Sequence, residues 1–294
     1  MTTDQAREYT YSEIFHSIQG EGHYTGVPTA WIRFFLCNLQ CNGFGQDDPT
    51  NPETYDLPFK DFDLSHIKRV DDLPVWEKGC DSSYTWSKKY RHLMSKATAD
   101  VIADRLVDIM KHETNPQGLF EHPLSKQKGH LCFTGGEPLM KHAQQAIPEI
   151  YESLLRRGNI PGSMTFETNG TQKLTSDFID YWMDKQVAEL FFSCSPKLWT
   201  VAGEKAKRAI KPEYVAEYHN LSGRGQLKFV LGDVQEQWDE MDSVVELFRK
   251  EGINWPVWVM PVGAREEEQV SSAGKVAEMA FKRGYNVSAR VHVY

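Results

Sequence analysis

The strongest constraint on the fold is an alternation of short apolar runs with longer segments of helical periodicity. The runs are rich in β-branched and aromatic residues, whereas the segments between them repeat apolar residues at i, i+3 and i+4. This alternation predicts an α/β fold with parallel strands and right-handed crossovers, arranged as an open sheet or as a full or partial barrel. The predicted strands are Ala30–Leu36, Gly129–Phe133, Met164–Glu167, Leu190–Cys194, Gln226–Leu231, Pro256–Met260 and Asn286–Tyr294. The predicted helices are Ala97–His112, Ala143–Arg157, Thr175–Lys185, Trp238–Glu251 and Ser271–Arg283.

The size and charge of the chain narrow its possible functions. Its 294 residues are 40% hydrophobic, which is enough for one large domain, since barrels of roughly 200–250 residues are often single domains. The formal net charge of -8 argues against a general nucleic-acid binder, because contacts with phosphates need a surplus of cations. The apolar runs fall short of the roughly 18 residues that span a bilayer, and the N-terminus lacks the pattern of a secretion signal. We expect a cytoplasmic protein that acts on a small molecule, without direct contact with nucleic acid or membrane.

Three of the five cysteines stand where a metal cluster could be held. Cys37 and Cys41 follow the first apolar run, and Cys80 opens the segment CDSSYTW. An odd number of cysteines at irregular spacing favours metal binding over a disulfide framework. Three thiolates would fill three corners of an iron–sulfur cluster and leave one iron open for chemistry. Cys132 and Cys194 lie within apolar runs and are predicted to be core residues.

Zinc is the competing interpretation of these cysteines. His16, His23 or His92 could supply the fourth ligand of such a site. Structural zinc sites favour paired, closely spaced ligands, and this chain lacks that spacing.

Segment 42–79, between the second and third of these cysteines, interrupts the alternation. It is polar, acidic and rich in turn-forming residues. Long irregular loops in compact domains are usually functional or partly disordered. We therefore expect a single domain over residues 1–294 with an insertion at about 42–79 that acts as a lid, as a partner surface or as neither.

A glycine-rich motif, Thr134-Gly135-Gly136-Glu137-Pro138, follows the second predicted strand. Two glycines let the backbone approach a ligand closely, and a neighbouring carboxylate can accept a hydrogen bond from an ammonium group. Cysteines after the first strand and this motif after the second resemble the layout of radical S-adenosylmethionine enzymes. The resemblance implies that the open iron binds S-adenosylmethionine. Its reductive cleavage would then yield a 5′-deoxyadenosyl radical that abstracts hydrogen.

An N-terminal motif points to one branch of these enzymes. The segment 17–22 reads SIQGEG, and the predicted strand that follows it begins with AWIR. A Gln, a Glu and an Arg that converge at one end of a strand could bind the edge of a heterocycle that carries a carboxylate. With these residues, the chain resembles the 7-carboxy-7-deazaguanine synthases over nearly its whole length. Further counterparts lie at 80–82, 167–171, 193–197 and 291–294.

The resemblance implies a reaction and its requirements. The reaction is the ring contraction of 6-carboxy-5,6,7,8-tetrahydropterin to 7-carboxy-7-deazaguanine, in which a carbon–nitrogen lyase releases ammonia in 7-deazaguanine (queuosine) biosynthesis. S-adenosylmethionine would be used catalytically and carry the radical chemistry, with Mg²⁺ as a second cofactor. The family also implies a homodimer and an external electron donor such as flavodoxin or ferredoxin.

Roles for individual residues follow from the resemblance by position. Cys37, Cys41 and Cys80 would hold a [4Fe–4S] cluster, and Ser82 stands where the family usually has a Thr that binds Mg²⁺. The implied S-adenosylmethionine site consists of Gly135, Gly136, Glu137, Thr168, Asn169, Ser195 and Lys197. The implied pterin site consists of Gln19, Glu21, Arg33, Thr134, His292 and Tyr294.

The cysteine spacing departs from the family pattern. The family usually has three closely spaced cysteines, with an aromatic residue before the third that packs on the adenine. Here Phe44 occupies the place of the third cysteine, and Gly79 precedes Cys80. The residues after Cys80 match those after the third cysteine of the family. The aromatic residue that packs on the adenine is therefore expected to be Phe44, Tyr84 or Trp86.

Alternatives remain open for the substrate and for several residues. A radical activase or a peptide-modifying enzyme would use the same cofactor, although the Gln-Gly-Glu-Gly motif suits a pterin better. Arg33 could pair with a carboxylate at the edge of the core, and Lys197 could be a solvated turn residue. His292 could be an ordinary strand residue, and Glu167 could hydrogen-bond the following turn.

Overall fold

The computed structural model describes residues 6–185 and 189–293, and within these ranges the strands form one nine-stranded sheet. The strands are β1 (Glu8–Ile18), β2 (Pro28–Phe34), β3 (Ser95–Thr98), β4 (His130–Gly135), β5 (Ser163–Thr168), β6 (Glu189–Cys194), β7 (Gly225–Leu231), β8 (Val257–Pro261) and β9 (Asn286–Val287). Their order is β3-β1-β2-β4-β5-β6-β7-β8-β9. β1 is antiparallel to β2 and β3, and every pair from β2 to β9 is parallel. In the described ranges the edge strands β3 and β9 do not pair, so the sheet is open.

Helices connect the parallel strands and cover one face of the sheet. They are α1 (Pro58–Asp61), α2 (Ala99–Ile109), α3 (Lys141–Arg156), α4 (Ser176–Asp184), α5 (Trp199–Ala202), α6 (Ala206–Ala209), α7 (Pro212–Leu221), α8 (Gln235–Lys250) and α9 (Glu266–Phe281). Helix α2 packs on α3, α3 on α4, α4 on α7 and α7 on α8, which gives a continuous outer layer. No helix in the described ranges is long and apolar enough to cross a membrane.

A row of phenylalanines fills the space between the sheet and these helices. Phe133, Phe166 and Phe192 lie on β4, β5 and β6, with ring centroids 5.6 and 5.0 Å apart, and all three are fully buried. Phe178 of α4 packs edge-on against Phe166 at 5.8 Å. Successive side chains of a strand point to opposite faces. The residue after each of these phenylalanines therefore points to the other face, away from the helices.

The predicted α/β class is confirmed, and each predicted strand and helix overlaps an observed one. The elements that were not predicted are the antiparallel strands β1 and β3, the short helices α1, α5 and α6, and the helix α7. The predicted last strand, 286–294, is wrong beyond its start, because β9 covers only Asn286–Val287 and a 3₁₀ helix follows at Val291–Val293. Tyr294 lies outside the described residues.

The insertion at 42–79 folds around a small apolar cluster of its own. Phe59, Trp76 and Tyr90 are the buried members of this cluster, each at most 4% exposed. The Tyr90 hydroxyl donates a hydrogen bond of 2.5 Å to the carbonyl oxygen of Phe59. Tyr90 follows the third cysteine in sequence, so this contact ties the insertion to the segment after it.

Candidate active site

A cavity of about 640 Å³ opens at the carboxyl ends of the parallel strands. Side chains from the ends of β2, β4, β5, β6, β7 and β8 line it, so the sheet curves around this space. In α/β folds this edge of the sheet carries the active site. The residues predicted for the site that line the cavity are Glu21, Arg33, Cys37, Cys41, Cys80, Ser82, Thr134, Gly135, Gly136, Thr168, Asn169, Ser195 and Lys197.

The loop that carries the first two cysteines has an unusual backbone. Leu36 and Cys41 have φ angles of 89° and 52°, which non-glycine residues seldom adopt and which often mark functional sites. The loop also lies directly on the glycine pair after β4. A Cβ at Gly136 would lie 2.4 Å from the Leu36 carbonyl oxygen and 2.7 Å from the Cβ of Cys37. Only glycine therefore permits this contact between the two motifs.

Backbone N–H groups of the cysteine loop are held by a buried carboxylate. Oε1 of Glu204, which is 6% exposed, accepts hydrogen bonds from the N–H groups of Gln40 and Cys41 at 2.7 and 2.8 Å. The Gly43 N–H donates to the carbonyl oxygen of Ala202 at 3.0 Å. The segment around α5 thus fixes the loop from the side opposite the cavity.

The three thiols share the cavity wall but do not meet at one point. Among the residues that the structure describes, no three Cys, His, Asp or Glu side chains converge as they would on a single metal ion. In an iron–sulfur cluster each thiolate binds a different iron, so the ligands need not converge on one atom. Burial raises the pKa of Cys37, to about 12, and also that of Cys41 and Cys80. A bound cation would favour the thiolates that this burial opposes.

The donor set fits an iron–sulfur cluster in three further respects. The N–H of Leu39 and the side-chain amide of Asn169 lie 3.4 and 3.8 Å from the Cys37 sulfur. The Ser82 hydroxyl lies 3.6 Å from the Cys80 sulfur. Such donors stabilise thiolates and tune cluster potentials.

Two of the histidines considered for a zinc site lie elsewhere. The His23 ring stacks on Phe191 with centroids 5.3 Å apart. His16 lines a separate cavity of about 270 Å³ together with His112 and His130.

Glu137, predicted to contact S-adenosylmethionine, is fully buried beneath the cavity floor. Its carboxylate accepts hydrogen bonds from the Thr168 hydroxyl, the Asn169 N–H and the Leu139 N–H at 2.7 to 2.9 Å. Burial raises the pKa of this carboxyl to about 7, against the opposing effect of these hydrogen bonds. In this geometry Glu137 positions the end of β5 rather than facing the cavity.

The other residues predicted for S-adenosylmethionine form one side of the cavity. The Ser195 N–H donates to the Thr168 carbonyl oxygen at 2.8 Å, and the Lys197 ammonium donates to the Ser195 hydroxyl at 2.9 Å. Lys197 also lies 5.8 Å from the centroid of the Phe44 ring, within range of a cation–π contact. Lys197 is therefore half-buried in the site rather than a solvated turn residue.

Of the three aromatic candidates for the adenine, Phe44 and Trp86 line the cavity. The Tyr84 hydroxyl instead donates to Glu13 at 2.7 Å. Glu13 also pairs with Arg33 at 2.6 Å, which matches the alternative in which Arg33 binds a carboxylate of the protein. The Arg33 side chain nevertheless reaches the cavity wall.

A buried charged cluster lines the same cavity as the cysteines. The Lys228 ammonium donates hydrogen bonds of 2.8 and 2.7 Å to the carboxylates of Glu21 and Glu167. Gln19 donates to the other oxygen of Glu167 at 3.1 Å. Burial opposes the charge on Lys228, which is 5% exposed, but the two carboxylates outweigh it and raise the pKa of the ammonium.

The C-terminal segment completes this cluster. The Arg290 guanidinium pairs with Glu21 at 2.8 Å and with Asp81, next to Cys80, at 3.3 Å. Burial would raise the pKa of the Glu21 carboxyl, but Lys228 and Arg290 outweigh it and hold that pKa below its usual range.

His292, predicted to hold the substrate, lies 3.9 Å from Glu21. Its ring rests on Gly20, where a Cβ would come within 1.7 Å of Nδ1. This close approach explains the glycine before Glu21 in the N-terminal motif. His292 thus stands beside the charged cluster rather than in a strand.

Roles for Lys228, Glu204, Asp81 and Arg290 were not predicted from the sequence. A lysine within the apolar run at 226–231 was a signal for Lys228, because buried lysines are almost always paired. Asp81 lies in the segment that opens with Cys80, whereas Glu204 and Arg290 carry no comparable local signal.

Known proteins resemble this chain in sequence and in structure. No family model matches the chain. A 7-carboxy-7-deazaguanine synthase from Hyperthermus butylicus is 25% identical over 286 residues, which cover 96% of this chain and 90% of that protein. A protein of the same name from Aquifex aeolicus is 25% identical over 276 residues, which cover 94% of this chain and 87% of that protein. The crystal structure of QueE from Escherichia coli has a TM-score of 0.52 and 16% identity, and the match covers 97% of this chain and 95% of that one.

This chain shares the open α/β sheet of the Escherichia coli structure, in agreement with the type of fold that the sequence predicted. The sequence matches extend over nearly the full length of both partners, and the matched proteins carry one name. The chain thus resembles the 7-carboxy-7-deazaguanine synthases in sequence over nearly its full length, as the N-terminal motif predicted.

Proposed function

We propose that this chain is a 7-carboxy-7-deazaguanine synthase, a carbon–nitrogen lyase that contracts the ring of 6-carboxy-5,6,7,8-tetrahydropterin with loss of ammonia. The observation that carries the proposal is the arrangement of three motifs around one cavity. The cysteine loop, the glycine pair and the Glu21–Lys228–Glu167 cluster all line this cavity. It could therefore hold a cofactor and a polar heterocycle together.

In this proposal Cys37, Cys41 and Cys80 hold a [4Fe–4S] cluster. When bound, the cluster and S-adenosylmethionine supply the radical that starts the reaction. The chain binds and orients these groups and keeps water out of the cavity. Gly135 and Gly136 let the S-adenosylmethionine approach the backbone, while Ser195, Lys197 and the end of β5 line its site.

The charged cluster is suited to bind a pterin. Lys228 pairs with both Glu21 and Glu167, whose carboxylate oxygens can accept hydrogen bonds from ring N–H groups. Their positions are set before the substrate enters, which lowers the ordering cost of binding. Thr134 and Arg33 line the same space and would contact the substrate carboxylate.

Ser82 is proposed to bind Mg²⁺ at the cavity wall. Mg²⁺ takes oxygen ligands and often only one or two from the protein, with the rest from substrate and water. Asp81 and Ser82 both line the cavity beside Cys80. A hydroxyl at this point therefore suits an ion that bridges to the substrate.

The remaining parts of the proposal concern the whole protein. Residues 1–294 would act as one radical S-adenosylmethionine domain in the cytoplasm, as a homodimer in 7-deazaguanine (queuosine) biosynthesis. An electron carrier such as flavodoxin or ferredoxin would reduce the cluster. The insertion supports a substrate-enclosing role, because Phe44, Trp76 and Glu77 form part of the cavity wall.

The test is anaerobic iron–sulfur reconstitution of the wild type beside Cys80→Ala, with Cys132→Ala as the control for a buried core thiol. We expect about four irons and S-adenosylmethionine-dependent turnover of the carboxypterin for the wild type and the control. Cys80→Ala should lack both. If Cys80→Ala forms a working cluster, the third ligand is another residue.

The same experiment separates the alternative functions. A wild type that binds only zinc and stays colourless contradicts the radical mechanism. A wild type that forms the cluster and cleaves S-adenosylmethionine, yet leaves the carboxypterin unchanged, would favour an activase or a peptide-modifying enzyme.

A further inference from the structure

A short basic surface lies on the outer side of the cysteine loop. It consists of Lys205, Lys207, Arg208 and Lys211, around the helix α6. The first three are exposed and Lys211 is half-buried. The interval 205–211 contains no acidic residue, in a chain whose formal net charge is -8. The local charge of this surface is therefore opposite to that of the protein as a whole.

The cations of this basic surface are not neutralised within the protein. Among the residues that the structure describes, none of the four takes part in a salt bridge. By contrast, Lys250, Lys275 and Lys282 each pair with a carboxylate. An unpaired group of like charges disfavours the folded state slightly, and it attracts molecules of opposite charge.

The basic surface is in direct contact with the loop that carries two of the proposed cluster ligands. The Arg208 guanidinium donates a hydrogen bond to the carbonyl oxygen of Asn38, which lies between Cys37 and Cys41. The neighbouring Glu204 accepts the N–H of Cys41 at 2.8 Å. The basic surface thus contacts the backbone that joins Cys37 and Cys41.

We propose that the basic surface docks a small acidic electron-carrier protein, such as a flavodoxin, that reduces the cluster. This inference rests on the proposed function, because it needs a cluster at Cys37, Cys41 and Cys80. One electron passes from the carrier, which is oxidised, to the cluster, which is reduced.

The position of the surface favours a carrier over other anionic partners. Electron transfer slows steeply with distance, so a donor must approach the cluster closely. Cys37 and Cys41 line the cavity in which the proposed function places the substrate, whereas the basic surface lies outside that cavity and is free for the donor. An acidic carrier would be steered to this side, because opposite charges accelerate encounter and set orientation. Four cations in a protein of net charge -8 are few for a nucleic acid, whose binding depends on neutralising many phosphates.

The test compares two matched double variants of the reconstituted enzyme. Lys205→Gln/Lys207→Gln removes two charges from the basic surface and leaves Arg208 in place to hold the loop. Lys126→Gln/Lys128→Gln removes two exposed lysines with the same spacing from the loop before β4, at the opposite edge of the sheet. The affinity for a purified flavodoxin is measured by calorimetry at low and high salt, and turnover is measured with flavodoxin and with dithionite as reductant.

We expect Kd for flavodoxin to rise about tenfold in the first variant only, and the wild-type Kd to rise with salt. Turnover with dithionite should be unchanged in both variants, because a small reductant needs no docking surface. Equal affinity in the wild type and the first variant overturns the proposal, as does an equal loss in the second. Binding of an RNA oligonucleotide that is lost in the first variant, with flavodoxin binding intact, also overturns it. A wild type inactive with dithionite contradicts the proposed synthase function instead, while the flavodoxin Kd still decides the docking surface.

Discussion

The Glu204 carboxylate accepts a 2.8 Å hydrogen bond from the backbone N–H of Cys41, although the two residues are 163 positions apart. The same oxygen accepts the N–H of Gln40 at 2.7 Å. Cys41 has a positive φ angle, which an isolated loop would seldom maintain. The buried carboxylate therefore holds the cysteine loop in a conformation that its own sequence does not favour.

Replacement of Glu204 by alanine is expected to release this loop. Two N–H groups would lose their acceptor, at a cost of about 1–3 kcal/mol in the free energy of unfolding. We expect Glu204→Ala to retain less iron than the wild type after anaerobic reconstitution. Glu204→Gln keeps an acceptor and should retain iron, while the loss of a negative charge shifts the reduction potential of the cluster to more positive values. A full iron complement in Glu204→Ala contradicts the expectation.

Lys228 is expected to contribute strongly to stability because it neutralises two buried carboxylates. Removal of one partner of a buried ion pair costs about 3–5 kcal/mol. Lys228→Gln should lower the free energy of unfolding of the apoprotein by about this amount in urea at pH 7, and the double variant Lys228→Gln/Glu167→Gln should lower it less than the two single changes together. Lys275→Gln, in an exposed pair with Asp233, serves as the control and should have no measurable effect. If Lys228→Gln lowers the free energy of unfolding no more than the control does, the charged cluster of Glu21, Lys228 and Glu167 is solvated.

His130 is expected to make stability fall in mild acid. Burial lowers the pKa of this imidazole to about 4, and Thr29 and Thr165 hydrogen-bond its two nitrogens at 3.2 and 2.8 Å. The unfolded chain takes up a proton near pH 6.5, whereas the folded chain resists until about pH 4. The unfolded state binds more protons in this window, so stability is full above pH 6.5 and falls by up to about 3 kcal/mol as the pH drops to 4.

The contribution of His130 is measured by urea unfolding of the apoprotein from pH 4.5 to 7.5. His130→Gln lacks the titrating group, so the difference in free energy of unfolding between wild type and variant should shrink as the pH falls. If this difference in free energy does not change with pH, groups other than His130 cause the loss of stability in acid.

Phe59 is expected to hold the insertion in place without supporting the main sheet. It is 2% exposed within the small cluster of Trp76 and Tyr90, and a Phe→Ala change at such a site costs about 3–5 kcal/mol. We expect Phe59→Ala to accelerate amide hydrogen exchange across 44–79 while β4, β5 and β6 stay protected. In Phe59→Leu, the amides of this segment should exchange much more slowly than in Phe59→Ala. Loss of protection in the central strands would show that the insertion and the sheet unfold together.

Phe44 is expected to pack on the adenine of S-adenosylmethionine. Its ring lines the cavity beside Lys197, and an aromatic pair contributes about 0.5–1.5 kcal/mol beyond burial. Phe44→Ala should therefore raise Kd for S-adenosylmethionine about tenfold in equilibrium dialysis with the reconstituted protein. Phe44→Tyr should bind normally, and so should Tyr84→Phe. If Kd rises in Trp86→Ala and not in Phe44→Ala, Trp86 is the residue that packs on the adenine.

Local patterns of the sequence predicted most of the parallel sheet, because helices and buried strands leave different apolar periods. The strand β1 was not predicted, because its burial alternates irregularly and the strand is defined by pairing with β2. The conformation of the C-terminal segment was not predicted either. Only two residues of the predicted last strand pair with β8, and the rest turns so that Arg290 and His292 reach Glu21.

The amino-acid sequence by itself determined the α/β class and the residues that would meet at the carboxyl ends of the strands, because motif and strand are neighbours along the chain. Tertiary structure alone decided what those residues contact. In the folded chain Glu137 lies beneath the cavity floor, and Arg33 pairs with Glu13. Lys228, Glu204 and Arg290 come to the site from segments that are distant in the sequence. The physical reason is that a buried charge needs a partner of opposite charge or a hydrogen bond, and only the folded chain determines which distant group supplies it.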